Sequence, residues 1–128
     1  MLKKIAFGLF TLCLMTNSSW AQNSDKAKQS YDKAVKMINK GKFTGVPALL
    51  VEAVSLESKH ENPDRVFIGE IFSLYARFFM SDDYYGTAAQ NYILAALNYY
   101  AADDTVKGMQ AFRYAAQVLD SSLTHNSE

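Results

Sequence analysis

Residues 84–102 read YYGTAAQNYILAALNYYAA, a run with no charged side chain, closed by Asp82 and Asp83 on one side and Asp103 and Asp104 on the other. Tyr85, Ala88, Tyr92, Ala95 and Tyr99 recur at steps of three and four, as one face of a helix requires, while Ile93, Leu94, Leu97 and Tyr100 make its other faces apolar. A helix apolar all round is a buried one. The run is therefore expected to be the central helix of a small all-helical domain, with Gly86, Ala88, Ala89, Ala95 and Ala96 letting neighbouring helices come close. The rival reading is a membrane span, since roughly 20 apolar residues cross a bilayer. Against it, Thr87, Gln90, Asn91 and Asn98 would each need a polar partner in lipid, and the flanking aspartates lack the basic asymmetry that orients spans.

Outward toward the N-terminus, Met1 to Ala21 has the three parts of a secretory signal: Lys3 and Lys4, an apolar run from Ile5 to Met15, and a polar stretch ending Ser19-Trp20-Ala21. Cleavage is expected before Gln22. Cys13, the single cysteine, lies inside that apolar run, so a processed chain forms no disulfide. Leu12 is too large to precede a lipidated cysteine. Such a short signal with two lysines looks bacterial. The periplasm is the expected address, with release from the cell as the alternative.

Thirteen basic and thirteen acidic residues become eleven and thirteen once Lys3 and Lys4 are removed, a net charge of about −2. That gives no general pull toward nucleic acid. The charge is uneven, because Lys26, Lys28, Lys33, Lys36, Lys40 and Lys42 face only Asp25 and Asp32 in the first segment. A solvated helix face accounts for it, and a strip for an anionic partner is the alternative. Roughly 107 residues remain after residues 22–24, a short tail, are included, enough for one domain with one core.

Four further helices follow from punctuation and periodicity. The first starts near Ser24 or Asp25, buries Ala27, Tyr31, Ala34, Val35 and Ile38, and stops at Gly41. The second opens at Thr44 or Gly45 with Pro47 in its first turn and buries Val46, Leu49, Leu50, Ala53 and Val54. Asn62-Pro63-Asp64 starts a third, about Pro63 to Met80, whose large apolar residues include Phe67, Ile71, Leu74 and Phe78. Ser81-Asp82-Asp83 is short enough to make this helix and the central one antiparallel neighbours. The fifth, capped by Asp103, Asp104 or Thr105, is expected to bury Val106, Met109, Phe112, Ala116, Leu119 and Leu123, with residues 124–128 frayed.

Beginning at Gly69, large residues fall at Phe72, Tyr75, Phe79, Tyr85 and Tyr92, and small ones at Ala76, Ala88 and Ala95. In these positions the chain resembles the tetratricopeptide repeat family of paired antiparallel helices. Asp83 stands where the family's turn glycine is usual, and Tyr100 where its closing proline is usual. A poorer copy is set by Gly41 and Phe43, with Ala34, Met37, Leu50 and Ala53 in matching places and Lys33 and Val46 fitting badly. The copies are offset by about 42 residues instead of the family's 34, which places an insertion around Ser58 to Asp64. The fold class is thus all-α, about five antiparallel helices forming a right-handed tetratricopeptide-like repeat or a small helical bundle. The resemblance implies a groove lined by the first helix of each pair: Lys28, Tyr31 and Val35 in the earlier copy, Glu70, Ser73 and Arg77 in the later one.

Chemistry is sparse. His60 falls in a polar linker and His125 in the tail, so neither is placed for a serine triad. Glu57, His60 and Glu61 supply too few ligands for a closed metal site, no glycine-rich phosphate loop is present, and no pattern calls for a cofactor. The paired aspartates read as helix starts. The abundance of tyrosine at Tyr84, Tyr85, Tyr92, Tyr99, Tyr100 and Tyr114 is either core packing with hydroxyls at the rim or a partner or ligand surface. Tyr84, Asn91 and Asn98, spaced by sevens, share a face where exposure is expected. These readings favour a non-catalytic module for another envelope protein or a peptide segment, acting as adaptor or assembly factor. It would bind no nucleic acid and hold no stable membrane insertion after processing, and a homodimer stays open. The alternatives are an immunity or inhibitor protein against an envelope toxin or hydrolase, and a small-ligand binder with a tyrosine-lined pocket. A closed cavity carrying a buried Arg77 and Glu70 pair would favour the last.

Overall fold

The computed structural model describes residues 22–126, so the expected signal at 1–21 lies outside the described residues. Within them the chain is all-helical: α1 (22–39), α2 (Val46–Ser58), α3 (Arg65–Ser81), α4 (Tyr85–Ala101) and α5 (Thr105–Asn126). None of these helices is long and apolar enough to cross a membrane. Residues 22–24 are helical and not a tail, and α5 runs on past Thr124, where fraying was expected.

The helix ends follow from backbone hydrogen-bond accounting. At the end of α1, Lys42 N–H donates to Met37 O (2.8 Å) and Gly41 N–H to Ile38 O (3.0 Å), with Gly41 at φ 70°. This Schellman geometry satisfies carbonyls that a helix end otherwise leaves free. The pattern recurs after α3, where Tyr84 N–H donates to Phe79 O and Asp83 sits at φ 61°. It recurs again after α4, where Asp104 N–H donates to Tyr99 O and Asp103 sits at φ 60°. Aspartate thus occupies the left-handed position usually given to glycine, a conformation its short polar side chain tolerates better than most. Gly41 after α1 and Asp83 after α3 take the same left-handed conformation.

α3 is capped by Asp64, whose Oδ1 accepts from Phe67 N–H (3.0 Å), and not by Asn62. Pro63 therefore precedes the cap instead of opening the helix. The cap itself is held by Glu57 at the end of α2. Buried to 2 % exposure, Glu57 accepts from Asp64 N–H through Oε1 (3.0 Å) and from Ser24 Oγ through Oε2 (2.9 Å). One carboxyl group joins α1, α2 and the start of α3, which explains an acid that the sequence places in a polar linker.

Two cores flank α3. Phe67, Ile71, Leu74 and Phe78 meet Ala27 and Ala34 of α1 and Val46, Leu50 and Ala53 of α2. The opposite side of α3, with Ala76 and Gly69, meets α4. α4 then carries α5 on its far side. The helix shared by both cores is α3, so α4 is not central to the whole domain. Nor is α4 buried all round: Ile93, Leu94 and Leu97 are exposed, because α3 and α5 cover two of its faces and no described helix covers the third.

α4 packs closely because Ala88, Ala89, Ala95 and Ala96 are buried along it. Its two adjacent tyrosines need glycines opposite. A Cβ on Gly69 of α3 would lie 2.7 Å from the Tyr99 ring, and one on Gly108 of α5 would lie 2.8 Å from the Tyr100 ring. That requirement inverts α5. Its small face, Gly108, Ala111, Ala115 and Val118, is buried, while Val106, Met109, Phe112, Ala116, Leu119 and Leu123, the expected buried stripe, are exposed.

Two stability predictions follow from these contacts. Gly69→Ala is expected to destabilise the fold by about 1–3 kcal/mol through overpacking against Tyr99. Gly86→Ala, whose Cβ meets nothing within 4 Å, should be neutral or stabilising by up to about 1 kcal/mol. Urea denaturation of both variants checks the contrast. For Glu57, Glu57→Ala should cost about 1–3 kcal/mol by stranding the Asp64 amide and Ser24 hydroxyl. Glu57→Gln, whose amide can accept from one and donate to the other, should cost less than Glu57→Ala in the same assay.

Candidate functional site

The helices α1, α3 and α5 present a polar and aromatic surface with α4 tyrosines as its floor. Its main recess, about 490 Å³, is lined by Glu70, Ser73 and Arg77 of α3, Tyr92 and Tyr99 of α4, and Lys107, Gln110 and Tyr114 of α5. Spacing creates the walls: 70, 73 and 77 share one face of α3, and 107, 110 and 114 share one face of α5. A second recess of about 340 Å³ between α1 and α3 includes Tyr31, Val35, Leu74, Phe78 and again Arg77. Arg77 borders both.

Polar contacts fix the walls. Lys107 Nζ lies 3.3 Å from Glu70 Oε1, with both side chains more than two-fifths exposed, so the pair contributes at most about 1 kcal/mol. The same ammonium lies 5.8 Å from the Tyr99 ring centre. Tyr99 Oη and Ser73 Oγ are 3.5 Å apart, and Gln110 Nε2 donates to Tyr114 Oη at 3.0 Å. The Tyr92 and Tyr114 rings stand 5.4 Å apart, an aromatic pairing distance. Arg77 is exposed and makes no ion pair among the described residues. The buried Arg77 and Glu70 pair that would mark an enclosed cavity does not form, since Glu70 turns to Lys107.

Of the residues expected to line a groove, Glu70, Ser73 and Arg77 lie together in the main recess, and Tyr31 and Val35 lie in the adjoining one. Lys28 is exposed on α1 and lines neither. Tyr84, Asn91 and Asn98 do not make one exposed surface. Tyr84 is exposed and edge-on to Phe79, whereas Asn91 is buried and donates to Thr87 O, and Asn98 donates to Leu94 O and accepts from Arg65. Mid-helix asparagines satisfy their side-chain N–H groups locally, on the second lone pair of the carbonyl four residues back. Lys107 and Gln110 were not expected at the site, and Tyr114 was expected only among the tyrosines of the alternative partner or ligand surface. The three-and-four spacing of all three was visible, but the larger apolar stripe drew the assignment of the buried face elsewhere.

No family model, curated protein or solved structure matches the chain. The functional reading therefore rests on this geometry.

Burial raises the hydroxyl pKa of Tyr31, Tyr92 and Tyr99 above 10.0. At Tyr31 the Glu70 charge adds to that effect and Arg77 opposes it; at Tyr92 Arg77 again opposes it. At Tyr99 the Ser73 hydrogen bond and Lys107 oppose it, while Glu70 adds to it. The folded state thus holds these phenols protonated at a pH where the unfolded chain releases them. Their contribution to stability is complete below pH about 10 and is lost as pH rises beyond it. A native absorbance titration near 295 nm should show late-titrating phenols, and replacing all three by Phe should flatten the fall in melting temperature above pH about 10.

Proposed function

We propose that this chain is a non-catalytic, tetratricopeptide-like binding module of the bacterial envelope, acting as an adaptor or assembly factor. Its groove would take an extended segment of another protein, with an acidic group of that segment seated at Arg77. What supports this reading is the position of Arg77: an exposed guanidinium with no ion partner among the described residues, bordering two adjoining recesses. A guanidinium offers a planar fork of donors matched to a carboxylate. The tyrosines beside it supply large contact area with polar ends at low entropy cost.

The chemistry within the recess favours binding over turnover. Ser73 meets a tyrosine hydroxyl, not a histidine that could take its proton. Glu70 is engaged by Lys107. The signal-like residues 1–21 support the envelope location.

Random-peptide display against residues 22–128 tests the proposal. Enriched peptides are expected to share an acidic residue and to lose at least about tenfold in affinity, by calorimetry, against Arg77→Glu. Circular dichroism of the variant should be unchanged. Peptides that bind wild type and Arg77→Glu equally would overturn the placement of the acidic group at Arg77.

A further inference from the structure

The outer face of α5 meets the groove wall only at its edge, where Gln110 is a helical neighbour of Val106 and Arg113. At about 100° per residue, Val106, Met109, Arg113, Ala116, Asp120 and Leu123 follow one another at steps of three and four, the spacing of a helix-pairing seam. All are exposed, and Val106 and Leu123 are more than 70 % so. An end helix of a stacked array ordinarily turns a polar face outward to keep the array soluble. This one turns an apolar face outward, interrupted by two opposite charges.

Those charges indicate what covers it. Arg113 lies three residues before Ala116 and Asp120 lies four after it, and neither side chain makes an ion pair among the described residues. Covering the stripe with a wholly apolar surface would desolvate both charges with nothing opposite, which is costly. A second α5, antiparallel and related by a two-fold axis beside Ala116, resolves this. Arg113 then meets Asp120 of the second copy, and Asp120 meets its Arg113. The axis that pairs 113 with 120 passes between Ala116 and Gln117, which leaves Met109 and Leu123 of the two copies within one residue of each other along the seam. Alanine at the crossing point lets the helices approach closely. A patch that is its own complement under a two-fold is what an isologous dimer requires.

We infer that the chain forms a symmetric homodimer through α5, with two reciprocal Arg113 to Asp120 ion pairs flanking Ala116. α5 has 22 residues and is roughly 33 Å long. One such helix face buries an area at the low end of specific interfaces, so the dimer is a weak one that depends on concentration. This inference does not rest on the groove reading, because none of the six seam residues lines either recess.

Sedimentation velocity of residues 22–128, from about 1 µM to about 1 mM, reads the outcome. Wild type is expected to shift from monomer to dimer across that range. Arg113→Asp and Asp120→Arg, each placing like charges opposite one another, should weaken association at least about tenfold. The double variant R113D/D120R restores the pairs with reversed sign and should dimerise like wild type. Both positions of this cycle are solvent-exposed in the monomer, and circular dichroism confirms that each variant folds. A wild-type chain that stays monomeric throughout overturns the inference and leaves the stripe to a different occupant. Single reversals that do not weaken the dimer, or a double variant that stays as weak as the singles, overturn the antiparallel α5 arrangement.

Discussion

The packing of the second half of the molecule depends on two neighbouring tyrosine rings, each laid over a glycine of a different helix. Tyr99 covers Gly69 of α3 and Tyr100 covers Gly108 of α5, both at distances that leave no room for a Cβ. Consecutive helical residues point about 100° apart, so one tyrosine is directed to each neighbour. The alanines of α4 close the remainder of both seams. Once the rings are in place, the face that each flanking helix must present is decided by volume.

For α3 this is undemanding, because its large residues have α1 and α2 to pack against on the opposite side. For α5 it is decisive. Its small face must go inward, which sets Lys107, Gln110 and Tyr114 at the edge of the seam, where they complete the wall opposite Glu70, Ser73 and Arg77. The groove is therefore a product of the glycine and tyrosine packing as much as of its own polar residues. Tyr99 serves both, with its ring over Gly69 and its hydroxyl facing Ser73.

Most helix boundaries were legible, because they are set by residues that act locally. Gly41 at positive φ, Gly45 before Pro47, and the short turn at 82–84 each announce themselves through backbone constraints that no distant contact overrides. Asp64 was misplaced by two residues in the expected cap because Asn62, Pro63 and Asp64 all suit a helix start. The choice among them is made by Glu57, which reaches the Asp64 amide from another helix. The faces of α4 and α5 were less legible. Periodicity ranks faces by hydrophobicity, and on that ranking the stripe through Met109 and Leu119 must be buried. The structure ranks them by fit to Tyr100, and Gly108, Ala111 and Ala115 prevail. Of the site, the α3 residues were legible because the repeat pattern located them. Lys107 and Gln110 of α5 were not, since their exposure depended on that inversion.

The inversion leaves α5 weakly anchored for its length. Its buried side chains are a glycine, two alanines and a valine, and apolar stabilisation scales with the area removed from water. Ordering each residue meanwhile costs about 1–2 kcal/mol in backbone entropy alone. The larger hydrophobic groups that would offset that cost, Val106, Met109, Leu119 and Leu123, all lie on the uncovered side. Among the described helices α4 makes the main packing along α5, with Lys107 and Glu70 adding an exposed ion pair to α3. An antiparallel second copy would place apolar area where α5 lacks it and would pair Arg113 and Asp120 in the same step. The energetics of the helix and the order of its charges thus favour the same occupant, one that reinforces the wall of the groove from behind.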